Sequence, residues 1–300
     1  MLLEHVSCDL CGSEKYKIRY TKPDNWLRGT LYQFPVVECL NCGLVYVNPR
    51  PTLDSIGAFY SNDYHHGRES EEFSRRYSVQ KTLLPNISGK RVLDIGCARG
   101  DFLSYLLNTG SVFEPYGIDA FSTGVSDQRI YFHQDLFPRV GYESDYFDLI
   151  MAWAVFEHLH RPAEYFSEAA RVLKPQGHLI ILVTNSESLY GQCAFSEDVP
   201  RHTYHYSKET LSRYGEKVDL KLKEIEYRDD VFDGRGFGTF RFLAGKSVGF
   251  TWEKFMLNRL GIKHRIAMRI GSIVDKLVFS SRWEAFLGRS GIMVATYEKN

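Results

Sequence analysis

Between Arg91 and Val183 the hydrophobic pattern switches repeatedly between two periods. Arg91–Ile95, Tyr116–Asp119, Arg129–His133, Tyr146–Met151 and Leu179–Val183 are short, largely apolar runs, the signature of strands covered on both faces. Among them lie stretches with apolar residues at helical spacing, Asp101–Asn108 and Pro162–Leu173, and Pro162 suits a first helical turn. Lys174–Gly177 supplies a turn into the last run. Strands alternating with helices predict a doubly wound parallel sheet, whose ligands bind at the carboxyl ends of the strands.

The flanks depart from this alternation. Val36–Glu38 and Leu44–Val47 read as short strands. From Thr52 to Leu84 a polar, tyrosine-rich stretch with Ile56, Phe59, Tyr60, Tyr64, Phe73 and Tyr77 predicts a helical cap or a plain connector. Nearer the C-terminus, Gly234, Gly236 and Gly238 open an insertion. In it Ile262, Ile266, Ile270, Ile273, Val274, Leu277 and Val278 recur at helical spacing, interleaved with Lys263, Arg265, Arg269 and Lys276. That stripe suits a helix pair packed on the sheet, a homodimer partner, or an anionic membrane surface met through residues 252–280.

Composition narrows the classes. With 44% apolar and 25% charged residues the 300-residue chain is globular rather than disordered. Lys plus Arg and Asp plus Glu are 37 each, which weighs against broad nucleic-acid binding. No apolar run reaches the roughly 18 residues of a spanning helix, and Met1–His5 does not open a secretion signal, so a cytoplasmic chain is expected. If the stripe meets lipid, that chain sits at the inner face of the membrane. The charge is unevenly spread: residues 241–290 hold ten Lys or Arg against three Asp or Glu.

Four of the six cysteines form two pairs, Cys8-x-x-Cys11 and Cys39-x-x-Cys42, each followed by a glycine, Gly12 and Gly43. Two intervening residues let both thiolates face one ion, and the glycine permits the tight turn. Two such knuckles make an S4 site suited to Zn²⁺, structural because all four ligand positions are filled. Independent thiols or two disulfides fit the paired spacing poorly. Cys97 and Cys193 are expected to be packing residues.

The loop after the first core strand reads Asp94-x-Gly96-x-x-x-Gly100, not the G-x-G-x-x-G of dinucleotide sites. Asp94 would repel a pyrophosphate but suits a cationic amino-acid group. Asp119, 25 residues later, ends the next strand where a carboxylate can accept ribose hydroxyls, and Asp135 follows the third where it can meet an adenine amino group. A nucleoside with a cationic amino-acid tail is S-adenosylmethionine.

In Val92–Gly100, Gly117–Asp119, Gln134–Leu136, Phe147–Ile150, Phe156–Leu159 and Arg171–Gly177 the chain resembles class I S-adenosylmethionine-dependent methyltransferases. With two knuckles upstream, it further resembles bacterial members carrying an N-terminal zinc ribbon, several of which modify sugars or natural products. The resemblance implies an α/β, Rossmann-like sheet of seven strands with the last antiparallel, Leu222–Tyr227 and Ile292–Tyr297 being candidates for strands six and seven. Expected units are a ribbon over 1–50, a cap or linker over 51–88, a methyltransferase domain over 89–233 and 291–300, and a basic helical insertion over 234–290. It also implies that Asp94, Gly96, Cys97, Ala98 and Gly100 border the methionine part, although the Cys97 thiol need not take part. By the same resemblance Asp119 with Ala120 holds the ribose, Asp135 with Leu136 frames the adenine, and Ala152 with Trp153 lines the opposite wall.

Methyl transfer needs an aligned acceptor, exclusion of water, and a base when the acceptor is a hydroxyl or an acidic carbon. Glu157–His158 and the segment Glu197–Tyr206 offer one. His202 is the expected base, with His158 and Tyr204 as further catalytic candidates; His158 equally suits fixing its own loop. Arg201 is suited to pair with Asp198 or with a phosphate or carboxylate of the substrate, and Ser207 to cap a helix. The sequence therefore predicts methyl transfer to oxygen or carbon of a small molecule: a sugar, nucleotide-sugar or lipid-linked glycan. Two alternatives are an RNA methyltransferase gripping RNA through the ribbon, against which the zero charge weighs, and a silent scaffold. A scaffold would not need Asp94, Gly96, Gly100, Asp119 and Asp135 together.

Overall fold

The computed structural model describes residues 2–24, 32–60, 70–188, 198–228, 231, 239–251, 254, 259–278, 288 and 290–300; Tyr64, Cys193, Glu197, Gly234, Gly236 and Gly238 lie outside them. At the N-terminus β1 (Leu3–Glu4) pairs with β5 (Arg50–Pro51). Between them β2 (Tyr16–Pro23), β3 (Gln33–Cys39) and β4 (Val45–Val47) form an antiparallel sheet around the two knuckles. Two helices follow, the short α1 (Leu53–Ile56) and α2 (Ser70–Thr82).

The alternating region then supplies β6 (Arg91–Ile95), α3 (Asp101–Asn108), β7 (Glu114–Ile118), β8 (Tyr131–His133), β9 (Phe147–Trp153), α4 (Pro162–Val172) and β10 (Leu173–Thr184). After β11 (Tyr204–His205) come α5 (Lys208–Glu216), β12 (Leu220–Tyr227), α6 (Thr239–Ser247), α7 (Ile262–Val278) and β13 (Ile292–Lys299). The main sheet has seven strands in the order β12-β13-β10-β9-β6-β7-β8, and β13 runs antiparallel to both neighbours. This is the arrangement the resemblance implies.

The continuous apolar runs have a direct cause. Leu149, Met151, Ile180 and Leu182 face one buried core, while Ile150, Ala152, Leu179 and Ile181 face another on the opposite side of the sheet. Both faces are covered, so no position is spared for polar residues.

Several element ends differ from expectation, three of them for a visible reason. The third core strand begins at Tyr131, not Arg129, because Arg129 turns out to grip Asp127 at 2.6 Å and Asn108 at 2.7 Å. The helix from Pro162 ends at Val172: Leu173 is already extended and opens β10. The expected turn Lys174–Gly177 becomes an irregularity within β10, with Gln176 at φ +63°.

The ribbon is not a separate module. Tyr204 and His205 pair with Tyr46 and Val45, so a segment about 160 residues away in the chain completes the ribbon sheet as its edge strand. Cys8, Leu10, Cys39, Leu44 and Tyr46 share one buried core with Phe166, Tyr214 and Tyr297. Asp9 Oδ2 accepts from the Ala163 N–H at the start of α4 (2.9 Å) and from the Tyr214 hydroxyl on α5 (2.8 Å). Segment 198–206 is therefore largely interior. Ser207 caps α5 as expected, in a reciprocal capping box with Thr210.

Candidate active site

In chain order the sheet grows from β6 through β7 to β8, then restarts on the other side with β9 and β10, leaving a switch point between β6 and β9. Ile95 stands beside both Ile118 and Ala152, and Ile118 beside His133, so four strand ends finish level along one edge. Every cofactor residue expected from sequence lies in or just after these ends.

The loop between β6 and α3 is built by glycines. Gly96 has φ +71°, and a Cβ there would come within 2.5 Å of Val155 Cγ2; Gly100 has φ +77° and would strike Ile130 Cδ1 at 2.8 Å. Neither position has room for a side chain. Cys97 turns inward against Gly117, its thiol raised by burial and by the Asp94 and Asp119 charges, which makes it a packing residue. Asp94 is buried and accepts no hydrogen bond among the described residues. Burial, then the charge of Asp119, raises its carboxyl well above the ordinary value. Two acids converging without a cation suit a ligand that carries one.

Asp119 is more occupied than the sequence suggests. Its Oδ1 accepts from Phe121 and Ser122 N–H, both at 2.8 Å, and its Oδ2 from Ala98 N–H at 3.0 Å. It ties the second loop to the first before any ribose arrives. Asp135 is exposed and Leu136 half-buried; Ala152 is buried, and Trp153 meets Phe102 edge-on at 5.5 Å. Tyr77 of α2 continues that stack onto Phe102 and Tyr105, laying α2 over this end of the fold.

Val155, which closes on Gly96, leads straight into Glu157 and His158. Ligand-capable atoms of Glu157, His158 and His202 all lie within 4.8 Å of one another. His158 and His202 meet edge-on with ring centres 4.6 Å apart. His158 Nδ1 lies 3.1 Å from the Tyr60 hydroxyl and 3.2 Å from the Arg201 carbonyl. A carbonyl only accepts, so Nδ1 carries the proton of the neutral ring and Nε2 the lone pair. Burial, followed by the neighbouring His158, holds His202 well below the ordinary histidine range, and its Nδ1 has no partner among the described residues. Burial lifts Glu157 to about 8, against the pull of its own backbone and Arg76, and leaves Oε2 without a partner there. At neutral pH the acid holds its proton and the imidazole lacks one.

Arg201 props this cluster from behind. Its guanidinium donates to Asp24 Oδ1 at 2.7 Å, to the Phe59 carbonyl at 2.6 Å and to both oxygens of Asp198, and its side chain is fully buried. Burial opposes the Asp198 charge, but the Arg201 bond prevails and holds its carboxyl at about 2. Of the two expected roles, pairing with Asp198 is the one seen; a substrate anion cannot reach this buried group. Tyr204 also departs from expectation. Its ring stacks on Tyr46, and its hydroxyl lies between the Arg50 guanidinium (3.0 Å) and the His160 carbonyl (3.3 Å), so it joins ribbon to sheet instead of joining the Glu157, His158 and His202 cluster.

At the knuckles, Cys8 and Cys42 sulfurs are 3.4 Å apart and Cys11 and Cys39 3.5 Å, with all four within 4.8 Å. Tetrahedral zinc with bonds of about 2.3 Å places its sulfurs about 3.8 Å apart, so the four thiols fit that ion. The knuckles are copies of one another: Gly12 N–H bonds to the Cys8 carbonyl and Gly43 N–H to that of Cys39, at φ +73° and +77°.

A family model for a methyltransferase domain matches residues 64–225, more than half of the chain. The chain belongs to the methyltransferase domain family. It is an S-adenosylmethionine-dependent methyltransferase. It is 25% identical over 160 residues to a ubiquinone biosynthesis O-methyltransferase of Thiobacillus denitrificans, covering 46% of this chain and 68% of that one. With the enzyme of the same name from Rhodopseudomonas palustris it shares 24% over 149 residues, 45% of this chain and 58% of the other. These matches span about three fifths to two thirds of the relatives' length. In fold the methyltransferase is similar to an S-adenosylmethionine-dependent methyltransferase structure from Archaeoglobus fulgidus, with a TM-score of 0.50 at 20% identity, over 75% of this chain and 92% of that one.

Tyr60, Arg76, Tyr77 and Val155 are residues of this methyltransferase site that sequence reasoning left without a role. Tyr60 and Tyr77 had a signal, aromatics in an otherwise polar stretch. Val155 had none, because only the backbone path of Gly96 brings it near.

Proposed function

We propose that this methyltransferase moves a methyl group to a hydroxyl oxygen or acidic carbon of a small organic acceptor, with His202 as the base. A sugar, nucleotide-sugar or lipid-linked glycan is the acceptor class we favour. The observation that carries the reading is the half-buried His202 beside Glu157 and His158, which follow Val155, the residue that closes on the Gly96 loop; its surroundings favour the neutral imidazole, the form that can take a proton. The similarity to ubiquinone biosynthesis O-methyltransferases supports a small acceptor and the choice of oxygen.

In this reading Asp94 receives the cationic amino-acid end of the cofactor, Gly96, Ala98 and Gly100 give it backbone to lie on, and Asp119 holds the ribose edge with Ala120. Asp135 with Leu136 borders the adenine, and Ala152 with Trp153 closes the other side. S-adenosylmethionine, when bound, supplies a methyl group activated on sulfonium sulfur. His202 takes the proton that the acceptor releases as its new bond forms. His158, oriented by Tyr60 and the Arg201 carbonyl, holds the acceptor. Tyr204 is a positioning residue, and Zn²⁺ in the four-cysteine site is structural.

The test pairs calorimetry of S-adenosylmethionine with a turnover screen across sugars, nucleotide-sugars, phenols and catechols. Asp94→Asn should weaken cofactor binding. His202→Ala should leave cofactor binding intact and lower kcat by about 10²–10⁴-fold, the span of a lost general base. Full turnover in His202→Ala would remove it from the chemistry.

A further inference from the structure

The helices α6 and α7, inserted before β13, pack on each other in a way that fixes which side of α7 faces out. Gly271 lies against the α6 backbone, where a Cβ would meet the Phe240 carbonyl oxygen at 2.3 Å, and a Cβ at Gly245 would meet Met268 Cγ at 3.1 Å. Asp275 caps α6, accepting from Phe240 N–H at 2.8 Å and Arg241 N–H at 2.9 Å. His264, Met268, Gly271 and Asp275 therefore form the inner face. At 100° per residue, Ile262, Ile266, Ile270, Ile273 and Leu277 fall together on the opposite side within an arc of about 80°. All five are exposed, from 52% for Ile273 to 81% for Leu277.

Such a stripe along a single helix is far from the scattered apolar residues of an ordinary surface. Exposed Arg265 and Arg269 border one side and exposed Lys263 the other. The helix's one acidic residue, Asp275, is turned inward. A second copy laid on this stripe would set cations against cations with no carboxylate of the helix to pair them. An anionic surface meets both requirements. Seventeen residues make about 25 Å of helix, and no described helix is long and apolar enough to cross a membrane, so the geometry is that of a helix lying in the plane.

We propose that α7 docks this methyltransferase onto an anionic phospholipid bilayer, its isoleucine stripe among the acyl chains and Lys263, Arg265 and Arg269 at the phosphates. The experiment is co-sedimentation of the full chain with phosphatidylcholine vesicles, with and without phosphatidylglycerol, across a salt series. Binding should need the anionic lipid and weaken as salt rises. Arg265→Gln/Arg269→Gln should partition on the order of thirtyfold more weakly, at about fivefold per lost cation. Ile266→Asn/Ile270→Asn should abolish sedimentation while circular dichroism stays unchanged. Equal partition into both vesicle types, or none into either, would overturn the proposal. So would a dimer in sedimentation equilibrium that the isoleucine substitutions dissociate, since the stripe would then be covered by a second copy.

Discussion

At the scale of single residues, the site rests on burial acting in opposite directions on an acid and a base. Burial raises Glu157 from its ordinary 4.5 to about 8, so the folded state keeps a proton that the unfolded chain gives up. The stability this represents is complete below about pH 4.5 and is lost as pH rises through 8. Glu157→Gln should flatten that decline and denature at higher urea than the parent at pH 9; parallel pH profiles for the two would refute it. Burial lowers His202 instead, so the acid limb of kcat against pH should fall below the ordinary imidazole value of 6.5. Arg201 is the costliest side chain to truncate here. Arg201→Ala leaves buried Asp24 and half-buried Asp198 without their guanidinium and should cost about 3–5 kcal/mol in chemical denaturation.

At the scale of elements, the cofactor edge was legible because its signals are local. The run Arg91–Ile95, the paired glycines at 96 and 100, and acids at successive strand ends depend on backbone conformation within a few residues. The structure keeps each of them where the pattern put it. The segment we propose for the acceptor side was legible only in composition. The density of His and Tyr between residues 202 and 206 marked a special segment, but nothing local told His202 from Tyr204. The partners that separate them, Tyr46 and Arg50 against Glu157 and His158, come from the first fifty residues and from the middle of the chain. The isoleucine stripe was equally readable as a period, yet its direction is set by Gly271 and Asp275 meeting α6, a contact between helices. At this scale Asp9 is the informative substitution. Asp9→Ala strips an acceptor from the first turn of α4 and from the Tyr214 hydroxyl, and should cost about 1–3 kcal/mol by urea unfolding. A change below a few tenths would show that the joint is carried by packing alone.

For the whole molecule, the ribbon and the main sheet share a hydrophobic core, and the ribbon takes its edge strand from the segment that follows β10, so they should lose structure together. Stripping metal with a strong chelator, or Cys39→Ser, should lower the melting temperature of the entire chain in one transition, followed by near-ultraviolet dichroism and calorimetry. A two-step melt with an unshifted upper step would mean that the ribbon folds independently. Expected boundaries at residues 50 and 88 followed changes in composition, which record where the chain alters character but not where a distant strand returns to pair.

That returning strand constrains exchange between relatives. Residues 198–206 are bound by backbone pairing to β4 on one side and carry His202 beside Glu157 on the other. A graft that replaced the N-terminal fifty residues with those of another family member would inherit a foreign edge for this strand. The imported sheet could bring a perfect metal knuckle and still misplace the imidazole, unless the short segment near residue 200 travelled with it. Inheritance at this locus is therefore of two distant stretches as one unit.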